Sequence, residues 1–80
     1  MNSLTMEVLA ARRLPSPAVC AAIRKSAGVS QERLARELSV HRVSVNRWEH
    51  GTRRPQADTR RRYMEILEEL RLIVAGPDKS

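Results

Sequence analysis

Arg42, Val43, Asn46 and Arg47 have the types and spacing for one task, reading the edges of base pairs, and His50 continues their stripe. At 3.6 residues per turn they fall on one side of a helix. Arg offers paired donors that match guanine, Asn addresses adenine, and an apolar group meets the thymine methyl. Ser44 lies in the same stretch and is a further candidate for base contact. The other side of this helix carries Val45 and Trp48 at i, i+3, which makes it the inward side. Val45 is β-branched and stiff, suited to a fixed inward position.

A reading helix needs a neighbour to hold it. Gln31 to Leu38 precedes it, with Leu34, Ala35 and Leu38 on one face. Two helices cross closely only where a side chain leaves room, and Ala35 is that small residue. Val40 sits between the two helices as an apolar plug beneath a tight turn.

The stretch QERLARELSVHRVSVNRWEH, from Gln31 to His50, resembles the helix-turn-helix of the phage repressor and Cro-like family. Ala35, Leu34, Leu38, Val40, Val45, Trp48 and the leading Gln31 stand where that family places such residues. Trp48-Glu49-His50-Gly51 followed by Arg53-Arg54-Pro55 is similar to its W-E-x-G…R-R-P close. The resemblance covers roughly residues 17–70. It implies an all-α, lambda-repressor-like bundle of four or five short helices that binds double-stranded DNA. It implies that Gln31 touches the DNA backbone and braces Arg42, and that Arg24 pairs with Glu49. It also implies that the loop holding Arg53 and Arg54 grips phosphate. Two positions depart from the pattern. Ser39 stands where the family usually has Gly; in a left-handed conformation it costs about 1 kcal/mol. His41 stands where Ser or Thr caps the reading helix.

The charge pattern points to the same partner. The net charge is +6 over 80 residues. Residues 41–62 hold seven Arg against Glu49 and Asp58, whereas residues 63–80 carry two basic and four acidic residues. Positive charge concentrated on and just after the reading helix suits a polyanion. A solvated Arg face is the alternative on charge alone.

The remaining chain frames this centre. Residues 1–15 read as a short helical arm ended by Leu14-Pro15. Arg12 and Arg13 there fit either phosphate contact or a solvated pair. Ser16-Pro17 opens a helix that runs to about Ala27 and closes at Gly28, with Val19, Cys20, Ile23 and Ala27 as its inward row. Ser30 caps the next helix, with Glu32 in its first turn. Ser30 and Gln31 at that helix start suit a phosphate; a plain cap beside a surface Gln is the structural alternative. Arg53 and Arg54 have no apolar periodicity to explain them and fit backbone contact, which positions without specifying. His50 completes the phosphate set. The last helix spans about Asp58 to Val74, stopped by Gly76-Pro77, with Tyr63, Ile66, Leu67 and Leu70 inward. Met64, Ile73 and Val74 extend its apolar surface, which fits a homodimer contact or added core packing. Arg60, Arg61 and Arg62 are expected to enlarge the basic patch beside Arg53 and Arg54. Residues 76–80 read as a flexible tail.

Length and composition exclude much else. Eighty residues suit one small domain, here 16–75. One Cys rules out an intramolecular disulfide. Cys20 reads as a buried thiol, with a redox role as the alternative. No apolar run approaches the about 20 residues of a membrane span, and no signal-peptide core is present, so a cytoplasmic location is expected. His41 and His50 lack Cys or carboxylate partners at ligand spacing, so neither a metal nor another cofactor is expected. No catalytic motif appears, and an enzyme is not expected. The combined reading is a sequence-specific regulator that represses by occupying an operator. The rivals are an antitoxin-type autoregulator that also binds a toxin, and a protein-interaction adaptor.

Overall fold

The computed structural model describes residues 13–76, which form four helices and no strand. They are α1 (Pro17–Ser26), α2 (Gln31–Leu38), α3 (Arg42–His50) and α4 (Ala57–Ala75). The all-α architecture expected from the sequence is present. Most of the expected arm, and the tail beyond Gly76, lie outside the described residues.

Local chemistry sets each boundary. Ser16 Oγ accepts from the Val19 amide at 3.3 Å, and Pro17 holds the first helical position where no amide donor is needed. Ser30 Oγ accepts from the Arg33 amide at 2.9 Å. α3 starts with no side-chain cap, since His41 contributes only its carbonyl, 2.9 Å from the Ser44 amide. Gly51 ends α3 at φ 75°, which lets Thr52 N donate to Arg47 O at 3.0 Å. A Cβ at Gly51 would meet Pro17 Cγ at 3.5 Å, an ordinary contact. Backbone conformation, not space, therefore calls for glycine there.

Ser39 ends α2 in the left-handed region, at φ 57° and ψ 42°, and no other non-glycine among the described residues has positive φ. Ser39 N donates to Arg36 O and Val40 N to Ala35 O, so the sharp turn satisfies two terminal carbonyls of α2. Ser39→Gly removes a strain of about 1–2 kcal/mol but adds freedom to the unfolded chain. The expected net gain is about 0.5–1 kcal/mol, read as a higher urea midpoint with an unchanged slope.

The core is Cys20 from α1, Leu34, Ala35 and Leu38 from α2, Val45 and Trp48 from α3, and Tyr63, Ile66 and Leu67 from α4. Leu14, Ile23, Val29, Val40 and Leu70 pack around it, half-buried. Both α1 and α2 touch α3 and α4, so α3 is held from behind by its neighbours. Val19 departs from its expected inward place and is 47% exposed. The inward stripe of α1 runs through Cys20 and Arg24 instead, leaving Val19 at its solvent edge.

Cys20 and Tyr63 each bring a polar group into this core. The Cys20 thiol donates weakly to Pro15 O at 3.4 Å, and burial pushes its pKa up, away from the reactive thiolate. Among the described residues the Tyr63 hydroxyl is buried without a hydrogen-bond partner, and burial holds it far above the usual phenol range. Its ring lies 5.2 Å from that of Trp48, tilted by 40°. Tyr63→Phe keeps the ring pair and removes the orphan hydroxyl. Leaving such a group unpaired costs about 1–3 kcal/mol, so the variant is expected to be at least as stable as the parent by thermal melting.

Candidate nucleic-acid interface

The outward side of α3 is where the candidate residues gather. Arg42, Val43, Arg47 and His50 are exposed, and Ser44 and Asn46 are half-buried. Val43, at 48% exposure, is an apolar side chain held in solvent on this face. The twist of the helix that buries Val45 and Trp48 leaves these residues outward.

Gln31, at the start of α2, ties this face together. Its Nε2 donates to Asn46 Oδ1 at 3.2 Å and to Glu49 Oε1 at 2.9 Å. Its Oε1 accepts from Arg42 Nη1 at 3.2 Å. The bracing of Arg42 implied by the family resemblance is thus a contact in the structure. No spacing in the sequence points to the contacts from Gln31 to Asn46 and Glu49. Gln31 bridges the two helices across the turn, so the outward face of α3 is held from one point.

Beneath Gln31 lies an ion pair. Arg24 Nε donates to Glu49 Oε2 at 2.6 Å and Arg24 Nη2 to Glu49 Oε1 at 3.0 Å. Arg24 Nη1 donates to the Val29 carbonyl at 2.8 Å. The two side chains are 8% and 4% exposed. Burial alone would raise the Glu49 pKa, but hydrogen bonds from Arg24 and Gln31 outweigh it and hold the carboxyl below its ordinary value. The hydrogen bond to Glu49 likewise raises Arg24 above its ordinary value, against the effect of burial. The pair joins α1 to the end of α3, and through Gln31 it reaches the outward face.

Ser30 Oγ is used as an acceptor in capping α2, which leaves its hydrogen available. His50 Nδ1 lies 2.8 Å from the Asn46 carbonyl. A carbonyl only accepts, so Nδ1 carries the hydrogen of that contact. Arg53 and Arg54 are exposed and share a cleft with Arg13 and Arg60. Arg62 does not join them. It reaches Glu37 on α2 at 3.3 Å and Glu65 at 3.8 Å, so its charge serves the α2–α4 contact.

The apolar surplus of α4 divides in two. Met64 is half-buried beside Pro15 and Arg60. Leu72, Ile73 and Val74 are 63%, 69% and 47% exposed. Val74 lies about 15 Å along the axis from Met64, so these residues form no single patch. Leu72 belongs with Ile73 and Val74, although it falls outside the stripe of Tyr63, Ile66, Leu67 and Leu70. Among the described residues no helix is long and apolar enough to cross a membrane, and no cluster of three or more His, Cys, Asp or Glu could hold a metal ion.

Two helices locked across a sharp turn, with a basic, donor-rich outer face, define a helix-turn-helix DNA-binding domain. A family model described as helix-turn-helix matches residues 21–70, and the chain belongs to this family, in its XRE-type, Cro- and repressor-like branch. It is a DNA-binding transcription regulator that takes double-stranded DNA, from a family not typically enzymatic. No curated protein and no solved structure matches the chain significantly.

Proposed function

We propose that the chain is a small phage-type repressor that acts by occupying an operator. In this reading α3 enters the major groove. Arg42, Val43, Ser44, Asn46 and Arg47 meet base edges, while Ser30, Gln31 through its backbone amide at the start of α2, His50, Arg53 and Arg54 hold phosphates. The observation that carries it is the Gln31 cluster. Arg42 and Asn46 are hydrogen-bonded to one residue at the start of the neighbouring helix, so they are set in position before any partner arrives. Preorganised side chains lose less freedom on binding. A charge of +6 on 80 residues, with seven Arg between residues 41 and 62, supplies the attraction to backbone.

The proposed dimer contact is the exposed Leu72, Ile73 and Val74, with a second copy as occupant. Two copies would read a pseudo-palindrome with half-sites about 34 Å apart, or a multiple of that. Repression then follows from occupancy and concentration, where the DNA is, in the cytoplasm.

Binding measured by fluorescence anisotropy across a salt series separates the two kinds of contact. Arg47→Ala is expected to weaken the preferred duplex by about 10- to 100-fold, with a smaller effect on random duplex. Arg53→Ala with Arg54→Ala is expected to weaken both alike and to flatten the salt slope by roughly 2. A near-flat slope in the parent protein would remove the phosphate assignments. An unchanged affinity on Arg47→Ala would remove its base-reading role.

A further inference from the structure

The geometry points to Asn46 meeting the groove as a hydrogen-bond donor only, with Glu49 setting that polarity through Gln31, so that it faces guanine and not adenine. This rests on the reading of α3 as the groove-facing helix.

Glu49 is the fixed point. Its side chain is 4% exposed and both its oxygens accept from Arg24. With its pKa held below the ordinary carboxylate value, it has no hydrogen to give at neutral pH. The Gln31 atom 2.9 Å from Glu49 Oε1 must then be the amide nitrogen. Arg42 is also unambiguous, because a guanidinium only donates. The Gln31 atom 3.2 Å from Arg42 Nη1 must be the carbonyl oxygen. Two independent neighbours therefore select the same amide orientation.

That orientation passes to Asn46. One hydrogen on Gln31 Nε2 goes to Glu49, and the second points at Asn46, 3.2 Å away. The receiving atom must be Oδ1. Asn46 Nδ2 has no partner among the described residues and is not among their buried unpartnered atoms, so it is the end left for a ligand.

An Asn reads adenine with both ends, accepting from N6 and donating to N7. Here Oδ1 is already engaged, and turning it outward would break its bond to Gln31. Guanine asks for less. Its O6 and N7 are both acceptors, and the two hydrogens of Nδ2 meet them with Oδ1 left in place. Cytosine presents a donor to a donor and is disfavoured. Glu49 touches no base in this scheme; it is a positioning residue acting through Gln31.

The test is selection from a random duplex library by the parent protein, Asn46→Ala, Asn46→Asp and Gln31→Met. Each of these variants retains the Arg24–Glu49 pair, and circular dichroism checks that each is folded. The column that loses information in Asn46→Ala marks the base facing residue 46. In the parent that column is expected to favour guanine over adenine on the order of tenfold. Asn46→Asp still accepts from Gln31 but turns an acceptor outward, so the column should move to cytosine. Gln31→Met frees Asn46 to rotate, and adenine should rise to match guanine. A merely structural role for Gln31 would leave the column unmoved. Adenine dominant in the parent, an unmoved column in Gln31→Met, or no column sensitive to residue 46 would overturn the polarity. Retention without enrichment by every variant would instead overturn base reading by α3, and this inference with it.

Discussion

Arg24→Met is expected to destabilise the domain by about 3–5 kcal/mol, a large share of the roughly 5–15 kcal/mol that holds a small domain together. The change removes three hydrogen bonds, two to Glu49 and one to the Val29 carbonyl. It leaves a carboxylate that is 4% exposed with Gln31 as its remaining hydrogen-bond partner among the described residues. The cost comes from stranding that charge, not from losing an attraction. The double variant Arg24→Met, Glu49→Leu should therefore recover most of the loss, because an apolar pair of similar volume often replaces a buried ion pair without penalty. Urea unfolding of the parent, both single variants and the double variant gives the coupling directly.

The pH dependence should change sign between these proteins. In the parent, Glu49 has a folded pKa below its unfolded value, so the unfolded chain binds the extra proton. Its contribution is complete above about pH 5 and is lost as pH falls through the folded value. In Arg24→Met the cause of the depression is gone and burial prevails. The folded pKa then lies above the unfolded one, and acidification relieves the stranded charge. The gap between variant and parent should narrow from pH 7 towards pH 4.5. A gap that stays constant over that range would show that Glu49 is not the group responsible.

Trp48→Ala is the other large effect, at about 3–5 kcal/mol. Trp48 is 7% exposed and lies on the inward side of α3, one turn beyond Val45. Truncation opens a cavity against α4 and deletes the pairing with Tyr63, which contributes about 0.5–1.5 kcal/mol beyond area. Its consequence reaches function, because α3 would lose its largest anchor while its outer face is untouched. Far-ultraviolet circular dichroism during heating reads the result. The expected outcome is a melting point lowered by 10 °C or more at roughly 4–8 °C per kcal/mol. Trp48→Phe should retain most of the stability. An unchanged melting point for Trp48→Ala would mean that α3 is held chiefly by the Arg24–Glu49 pair.

What could be read in the sequence was mostly local. The inward faces of α2 and α3 follow from Leu34, Ala35, Leu38, Val45 and Trp48 at helical spacing, and each of these is buried. The caps at Ser16 and Ser30 follow from residue type and position. Arg24 was different. A cation within an apolar row gives no periodic signal for burial, and only the family motif linked it to Glu49. The contacts that cross between helices were not legible. Whether Gln31 reaches Asn46 depends on how α2 and α3 cross, and whether Arg62 reaches Glu37 depends on the packing of α4 on α2. Charge counts placed Arg62 in the basic patch because they carry no direction. The stripe of α4 likewise gave its inward side, but not that Ile73 and Val74, which continue its spacing, are exposed.

The central claim is that the outer face of α3 reads DNA sequence. Competition at about 150 mM salt between the duplex recovered by selection and a shuffled duplex of equal length and composition tests it most directly. Specific readout predicts that the recovered duplex binds at least about 10³-fold more tightly, and that Arg47→Ala removes much of this ratio while leaving shuffled binding largely intact. Equal affinity for the two duplexes would contradict the claim and reduce the protein to a binder of backbone alone.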